Sequence, residues 1–215
     1  MQRIIRKATT FFEIPLDLRS RVVILVGAAL LTPVFVLPLW QVDFQSDRYP
    51  QGLMLKIYSH TLEEGKPGDL LEINALNHYL GMKPLEPEEI SQFRWFPFLL
   101  GVCFLLALRT AVLGTMSRLV DLFVLAVYLG LFTLWSFHTT LSKFGQSLNP
   151  FATVRVEPFT PPLVGEINVA HVLIKSGPEA GAFLLVIVPL AWLAAVVLSW
   201  KTWSAENQPG PDYIS

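Results

Sequence analysis

The chain has 215 residues, 53% hydrophobic and 15% charged, with a mean hydropathy of +0.50 and a formal net charge of −1. This composition belongs to the membrane class rather than the soluble globular one, and near-neutral charge without a zinc-finger or aromatic-basic pattern leaves no footprint for nucleic acid. A single cysteine, Cys103, lies in an apolar run, which rules out a disulfide framework or a CxxC motif within the chain.

Residues 1–21 form a basic tail containing Arg3, Arg6, Lys7, Arg19 and Arg21. An apolar stretch at 22–40 follows, and 95–114, 118–138 and 180–200 are similar. Each reaches roughly the 20 residues, at about 1.5 Å rise per residue, that a hydrocarbon core requires. The first stretch starts too deep, and lacks the small-residue cleavage site, for a removable signal peptide, so it reads as a retained anchor. Basic residues before it, with Arg109 and Arg118 around the turn between the second and third spans, place these ends in the cytoplasm. Both termini are then cytoplasmic, 201–215 being the C-terminal tail. The loops 41–94 and 139–179 then face the other way, into the periplasm if the membrane is the inner membrane of a Gram-negative bacterium.

Loop 41–94 carries nine of the seventeen acidic residues against five basic ones, which agrees with that orientation. Trp40, Trp95, Trp135, Trp200 and Trp203 stand near span ends, as interfacial aromatics do. Pro33, Pro38 and Pro189 are expected to bend their helices. Arg109 and Asp121 lie within about two turns of the cytoplasmic turn, so an ion pair or snorkelling explains them. Midplane charges and internal repeats, the marks of a transporter, are not seen in the sequence.

Within the first loop, 53–62 is rich in β-branched, aromatic and aliphatic residues and predicts one or two short strands. Asp69 with Glu72 three residues on resembles a capping box opening a helix. Ile73, Leu76 and Leu80 share its apolar face, and Gly81 fits the left-handed position after its end. Asn74 and His78, with Asn77 beside them, form a polar face expected to meet a partner. Lys83-Pro84 stops the helix, and Pro87 opens a second short one. The second loop has turns at 146–150 and 159–165, with a β-like piece at Ala152 to Val156. The predicted fold is an all-α integral membrane protein with four transmembrane helices and two ordered extracytoplasmic loops, which contain short strands and a short helix and dock on each other as a cap.

His60, His78, Met54 and Met82 are the soft or borderline ligands outside the membrane, and such a set suits copper. His78 and Met82, with His60, are the candidate metal contacts; the alternative is that His78 hydrogen-bonds within the cap. His138 and His171 remain, the former a conceivable axial ligand for haem or chlorophyll. Nucleophile elbow, HExxH and glycine-rich phosphate loop are missing from the sequence, which points away from an enzyme.

Tyr49-Pro50-x-Gly52-Leu53, followed by Glu72-Ile73-Asn74-x-Leu76-Asn77-His78-Tyr79-x-Gly81-Met82-Lys83-Pro84, resembles the NosB-like small polytopic bacterial membrane proteins encoded among genes for nitrous-oxide reductase maturation. Phe144-Gly145-x-x-Leu148-x-Pro150 and Pro161-Pro162-Leu163-Val164-Gly165 extend the resemblance over most of 49–165. It implies a non-catalytic accessory or assembly role beside a periplasmic or membrane copper-dependent respiratory system. The family's second loop has a histidine where this chain has Gln146, and acids where it has Lys143 and Asn149, a departure that counts against metal binding. The alternative is a structural subunit of a larger respiratory or photosynthetic membrane complex that binds no metal. Membrane lipids and other membrane or periplasmic subunits are the expected partners.

Overall fold

The computed structural model describes residues 9–154 and 156–207. Arg3, Arg6 and Lys7 of the basic tail, Arg155, and the last residues of the tail 201–215 lie outside them. The chain divides into two compact units, one drawn from Met1–Leu31, Leu100–Leu129 and Val186–Ser215, the other from Thr32–Leu99 and Gly130–Leu185.

Four helices are long and apolar enough to cross a membrane: Leu18–Phe35, Gln92–Leu113, Met116–Gln146 and Ala180–Glu206. The α-helical part of the first is α1, Leu18–Leu31, and a 3-10 turn covers Thr32–Phe35. Pro33 cannot donate to the carbonyl one turn back, so the helix tightens and ends there, with Val36 and Leu37 both donating to the Pro33 carbonyl. The span expected at 22–40 therefore starts and ends earlier, and Trp40 lies outside it. The span expected at 118–138 continues as helix to Gln146, because hydrogen bonding along a helix does not stop where hydropathy falls.

In the helical unit, Asp17 caps α1 by accepting the Ser20 amide at 3.0 Å, and also accepts the Ser199 hydroxyl at 3.3 Å. Ser20 Oγ donates to the Ala195 carbonyl, and Trp192 Nε1 donates to the Ile24 carbonyl. Trp192 is fully buried against Gly27, where a Cβ would overlap the indole. Residues 14–16 run beside the turn at 114–116, held by Leu16 N–H to the Gly114 carbonyl and Met116 N–H to the Ile14 carbonyl. Arg21 fastens the same turn: its Nε donates to Leu16 O and its Nη1 to Val112 O, and its guanidinium fills the space a Cβ on Gly114 would need. Arg109 and Asp121 are both exposed, and the ion pair found among the described residues joins Lys175 to Glu166 instead. The pairing considered for Arg109 and Asp121 is thus not formed.

The second unit corrects the all-α expectation. It holds a five-stranded antiparallel sheet in the order β3-β2-β1-β5-β4, formed by β1 (Trp40–Ser46), β2 (Tyr49–Ile57), β3 (Leu62–Glu64), β4 (Gly165–Val169) and β5 (Val172–Pro178). Trp40-Gln-Val-Asp-Phe-Gln alternates apolar and polar residues, the period of a half-buried strand, and Trp40, Val42 and Phe44 all point into the core. On either side of β1, Val42 is paired with Leu55 and Ser176, and Phe44 with Leu53 and Ile174. The two loops are therefore strands of one sheet. Helix α2 (Asp69–Leu80) covers the apolar face with Ile73 and Leu80.

Trp40 is a core residue, not an interfacial one: its indole donates to Ser176 Oγ and Leu163 O, and its ring meets Phe137 edge-on at 5.4 Å. Ala152 to Val156 forms no strand among its described residues; an Asn149 turn and a hydrogen bond from Val154 N–H to Tyr79 O hold it as a loop. The β4–β5 turn places Ala170 and His171 at φ of 45° and 71°, a two-residue hairpin geometry, so His171 is a turn residue. The remaining long helices are α3 (Gln92–Leu113), α4 (Met116–Gln146) and α5 (Ala180–Glu206). Within the sheet-bearing unit, Gln92 Nε2 joins α3 to α4 through Ser136 and Thr140.

Candidate functional site

Helix α2 is fixed at both ends. Its N-cap position is Gly68 at φ 96°, without a side-chain cap of its own. Glu64 of β3 supplies the acceptor, taking the amides of Gly68 and Leu70, while Asp69 Oδ2 accepts the amides of Met54 and Lys66. The capping box expected of Asp69 and Glu72 is thus replaced by a neighbouring strand's carboxylate, placed by tertiary contact near the helix's positive end. Glu72 instead accepts the Tyr49 hydroxyl, tying α2 to β2. That hydrogen bond, with a smaller contribution from burial, raises the Tyr49 pKa above its ordinary value. For Tyr58 burial is the larger cause of a similar rise, followed by a hydrogen bond to Glu63.

At the other end Gly81 adopts φ 79°, with its N–H returned to the last carbonyls and Met82 N–H donating to Asn77 O at 2.7 Å. This is the left-handed terminus expected from the sequence. Gly81 also receives the second loop: its carbonyl accepts Asn149 N–H, and a Cβ there would press on Ala152 and the Asn149 backbone. At the end of α4, Gly145 leaves room for the Phe159 carbonyl, and Gln146 donates to Thr160 Oγ1.

The expected polar face separates into different roles. Asn74 Oδ1 accepts the Leu85 amide at 2.7 Å and its Nδ2 donates to the Leu85 carbonyl, so it fastens the chain beyond Pro84. Asn77 is 3% exposed and faces inward. His78 is exposed. Met82 packs against the apolar core of the sheet, whereas His60 is exposed beside Ser59 Oγ, with its ring 6.3 Å from that of Tyr58. Among the described residues, no group of three or more His, Cys, Asp or Glu side chains is placed to hold a metal ion. His138 is exposed on α4.

The outward surface of α2 is only partly polar. Leu71, Ala75 and Tyr79 recur every fourth residue beside His78, with Leu71 73% exposed and Tyr79 46% exposed. Phe151, next to the residue seated on Gly81, is 92% exposed. Only the folded helix shows that Leu71, Ala75, His78 and Tyr79 are the residues of α2 left outside. No protein-family model and no curated protein matches the chain.

Proposed function

We propose that this is a non-catalytic accessory or assembly protein of a copper-dependent respiratory system resembling that of nitrous-oxide reductase. Four spans hold an extracytoplasmic α+β module, with both termini in the cytoplasm. One observation carries the reading: the residues of the NosB-like motif are used to make a firm module. Tyr49 with Glu72 ties strand to helix, Asn74 fixes Leu85, and Gly81 seats Asn149. What remains outside is a partly apolar surface of Leu71, Tyr79, His78 and the nearby loop residue Phe151, suited to a protein partner.

The test is site-specific photocrosslinking in membranes. Crosslinkers at Leu71 and Phe151 are expected to capture the same respiratory or maturation subunit, while one at exposed Glu88 does not. Equal capture at all three positions, or capture of lipid alone, refutes the reading.

A second reading is a structural subunit that binds no metal, favoured by the packing of Met82 into the sheet core. Cu(I) titration of the purified chain separates the two. Stoichiometric binding lost in His78→Ala and Met82→Ala supports copper handling, and negligible binding by all forms supports the structural subunit.

A further inference from the structure

We propose that the polar face of the sheet binds a small zwitterion, a primary ammonium group joined through a few bonds to an anionic oxygen group. This inference is independent of the role proposed above. A groove of about 310 Å³ lies on that face, with Asp43, Met54, Lys66, Asp69 and Lys175 among its lining residues. Sheet register creates it. Asp43 of β1 is the cross-strand partner of Met54 on β2 and of Lys175 on β5, so the three side chains share one face. The connection before α2 adds Lys66 and Asp69.

Asp69 is the most buried charged residue of the groove. It is 6% exposed, and its Oδ2 accepts the two amides of Met54 and Lys66, while Oδ1 accepts no hydrogen bond from the described residues. Oδ1 stays in reach of solvent at the groove, so the carboxylate keeps capacity for a further donor. Asp43 is held in place by Gln41 Nε2, at 3.0 and 2.9 Å from its two oxygens, and each oxygen has further acceptor capacity. Together these carboxylates suit an ammonium, which carries three donors.

Lys66 and Lys175 supply the opposite charge. Lys66 Nζ rests 3.4 Å from Gln51 Oε1, and Lys175 Nζ rests 3.3 Å from Glu166 with its side chain 51% exposed. Exposed contacts of this kind hold a lysine weakly, so either ammonium can turn to an anion in the groove. With two carboxylates and two ammoniums around the groove, a simple cation or a simple anion meets repulsion as well as attraction, while a zwitterion answers both. The Met54 side chain offers an apolar surface to the carbons between the charges. The groove's volume lies at the lower end of the ~300–1,000 Å³ range of ligand pockets, which limits the ligand to about the size of an amino acid or a phosphoethanolamine group.

Phosphoethanolamine and glycine are the probes, titrated calorimetrically into the purified full-length chain, with ethanolamine and inorganic phosphate as single-charge controls. At least one zwitterion is expected to bind saturably, and both controls about tenfold or more weakly. Asp43→Asn and Lys175→Gln are each expected to weaken the zwitterion about tenfold, as loss of a charge-assisted hydrogen bond does, with unchanged circular dichroism and melting temperature. Asp69→Asn is informative only with Asp43→Asn beside it, because Asp69 also holds the loop. Nanodiscs containing phosphatidylethanolamine that compete with the probe identify a lipid headgroup as the source; lack of competition identifies a soluble ligand, and the site stands in either case. Absence of saturable zwitterion binding, equal binding of phosphate or ethanolamine, or affinity unaltered by both Asp43→Asn and Lys175→Gln would overturn the proposal.

Discussion

The helical unit and the sheet-bearing unit tie their polar groups together by different means. In the helical unit the helices bond internally, and a few side chains reach across to backbone carbonyls: Ser20 to Ala195, Trp192 to Ile24, Arg21 to Leu16 and Val112. Close approach at Gly27 and Gly114 makes those ties fit. In the sheet-bearing unit the backbone ladder performs most of that work, and side chains such as Glu64, Asp69 and Asn74 fasten the connections around α2. The first arrangement concentrates specificity in a few large contacts. The second spreads it over the sheet and its loops.

The largest expected effect is therefore in the helical unit. Trp192→Ala removes a fully buried indole and leaves a cavity against Gly27, and is expected to cost about 3 kcal/mol. Unfolding in mixed micelles measures it, with Trp200→Ala, a 52% exposed residue, as the comparison. Equal losses for the two would show that Trp192 is no more important than a surface tryptophan.

Asn74→Ala tests the fastening in the sheet-bearing unit. It strands the Leu85 amide and carbonyl, at a cost of about 1–2 kcal/mol. Hydrogen exchange at Leu85 should accelerate more than exchange in β1; uniform acceleration would argue that Asn74 supports the whole sheet rather than one connection.

A smaller change of opposite sign is expected at the β4–β5 turn. Replacing Ala170 and His171 by Asn and Gly suits their positive φ values and should stabilise the sheet-bearing unit by about 1 kcal/mol. A lower melting temperature would contradict the turn assignment.

The smallest effect is the pH dependence carried by Tyr49. Its hydrogen bond to Glu72, aided by burial, raises the folded pKa above the ordinary 10.0. The folded state thus holds this proton more tightly than the unfolded chain. The associated stability is complete below pH 10 and is lost as pH rises through the folded value. Denaturation curves of the wild type should weaken over that alkaline range more than those of Tyr49→Phe, and parallel curves would remove the linkage.

Much of the helical architecture is legible locally. Long apolar runs announce the four helices, and Gly81 after an apolar-periodic segment announces the end of α2. The sheet was harder to read because Trp40 closes an apolar run that resembles the end of a span, although it begins a strand of alternating residues. The partners of β1 also come from opposite sides of the α3 and α4 segments in sequence, β2 before them and β5 after them. Periodicity can suggest a strand, but it does not name a distant partner.

The candidate site shows the same division. His78 and Met82 were visible as copper-compatible residue types, yet helical direction and packing leave His78 exposed and turn Met82 toward the core. Asn74 and Asn77 looked alike in the sequence, but one binds Leu85 and the other is buried.

Hydropathy and backbone stereochemistry by themselves determined the four apolar helices and the glycine terminus of α2, since both depend on residues close together in the chain. Tertiary structure alone decided that the two loops share one sheet, that Glu64 rather than Asp69 caps α2, and that Asp43, Asp69 and Lys175 meet at one groove. Those outcomes depend on strand register and packing between distant segments, and they assemble chemical groups that no short stretch of the chain contains.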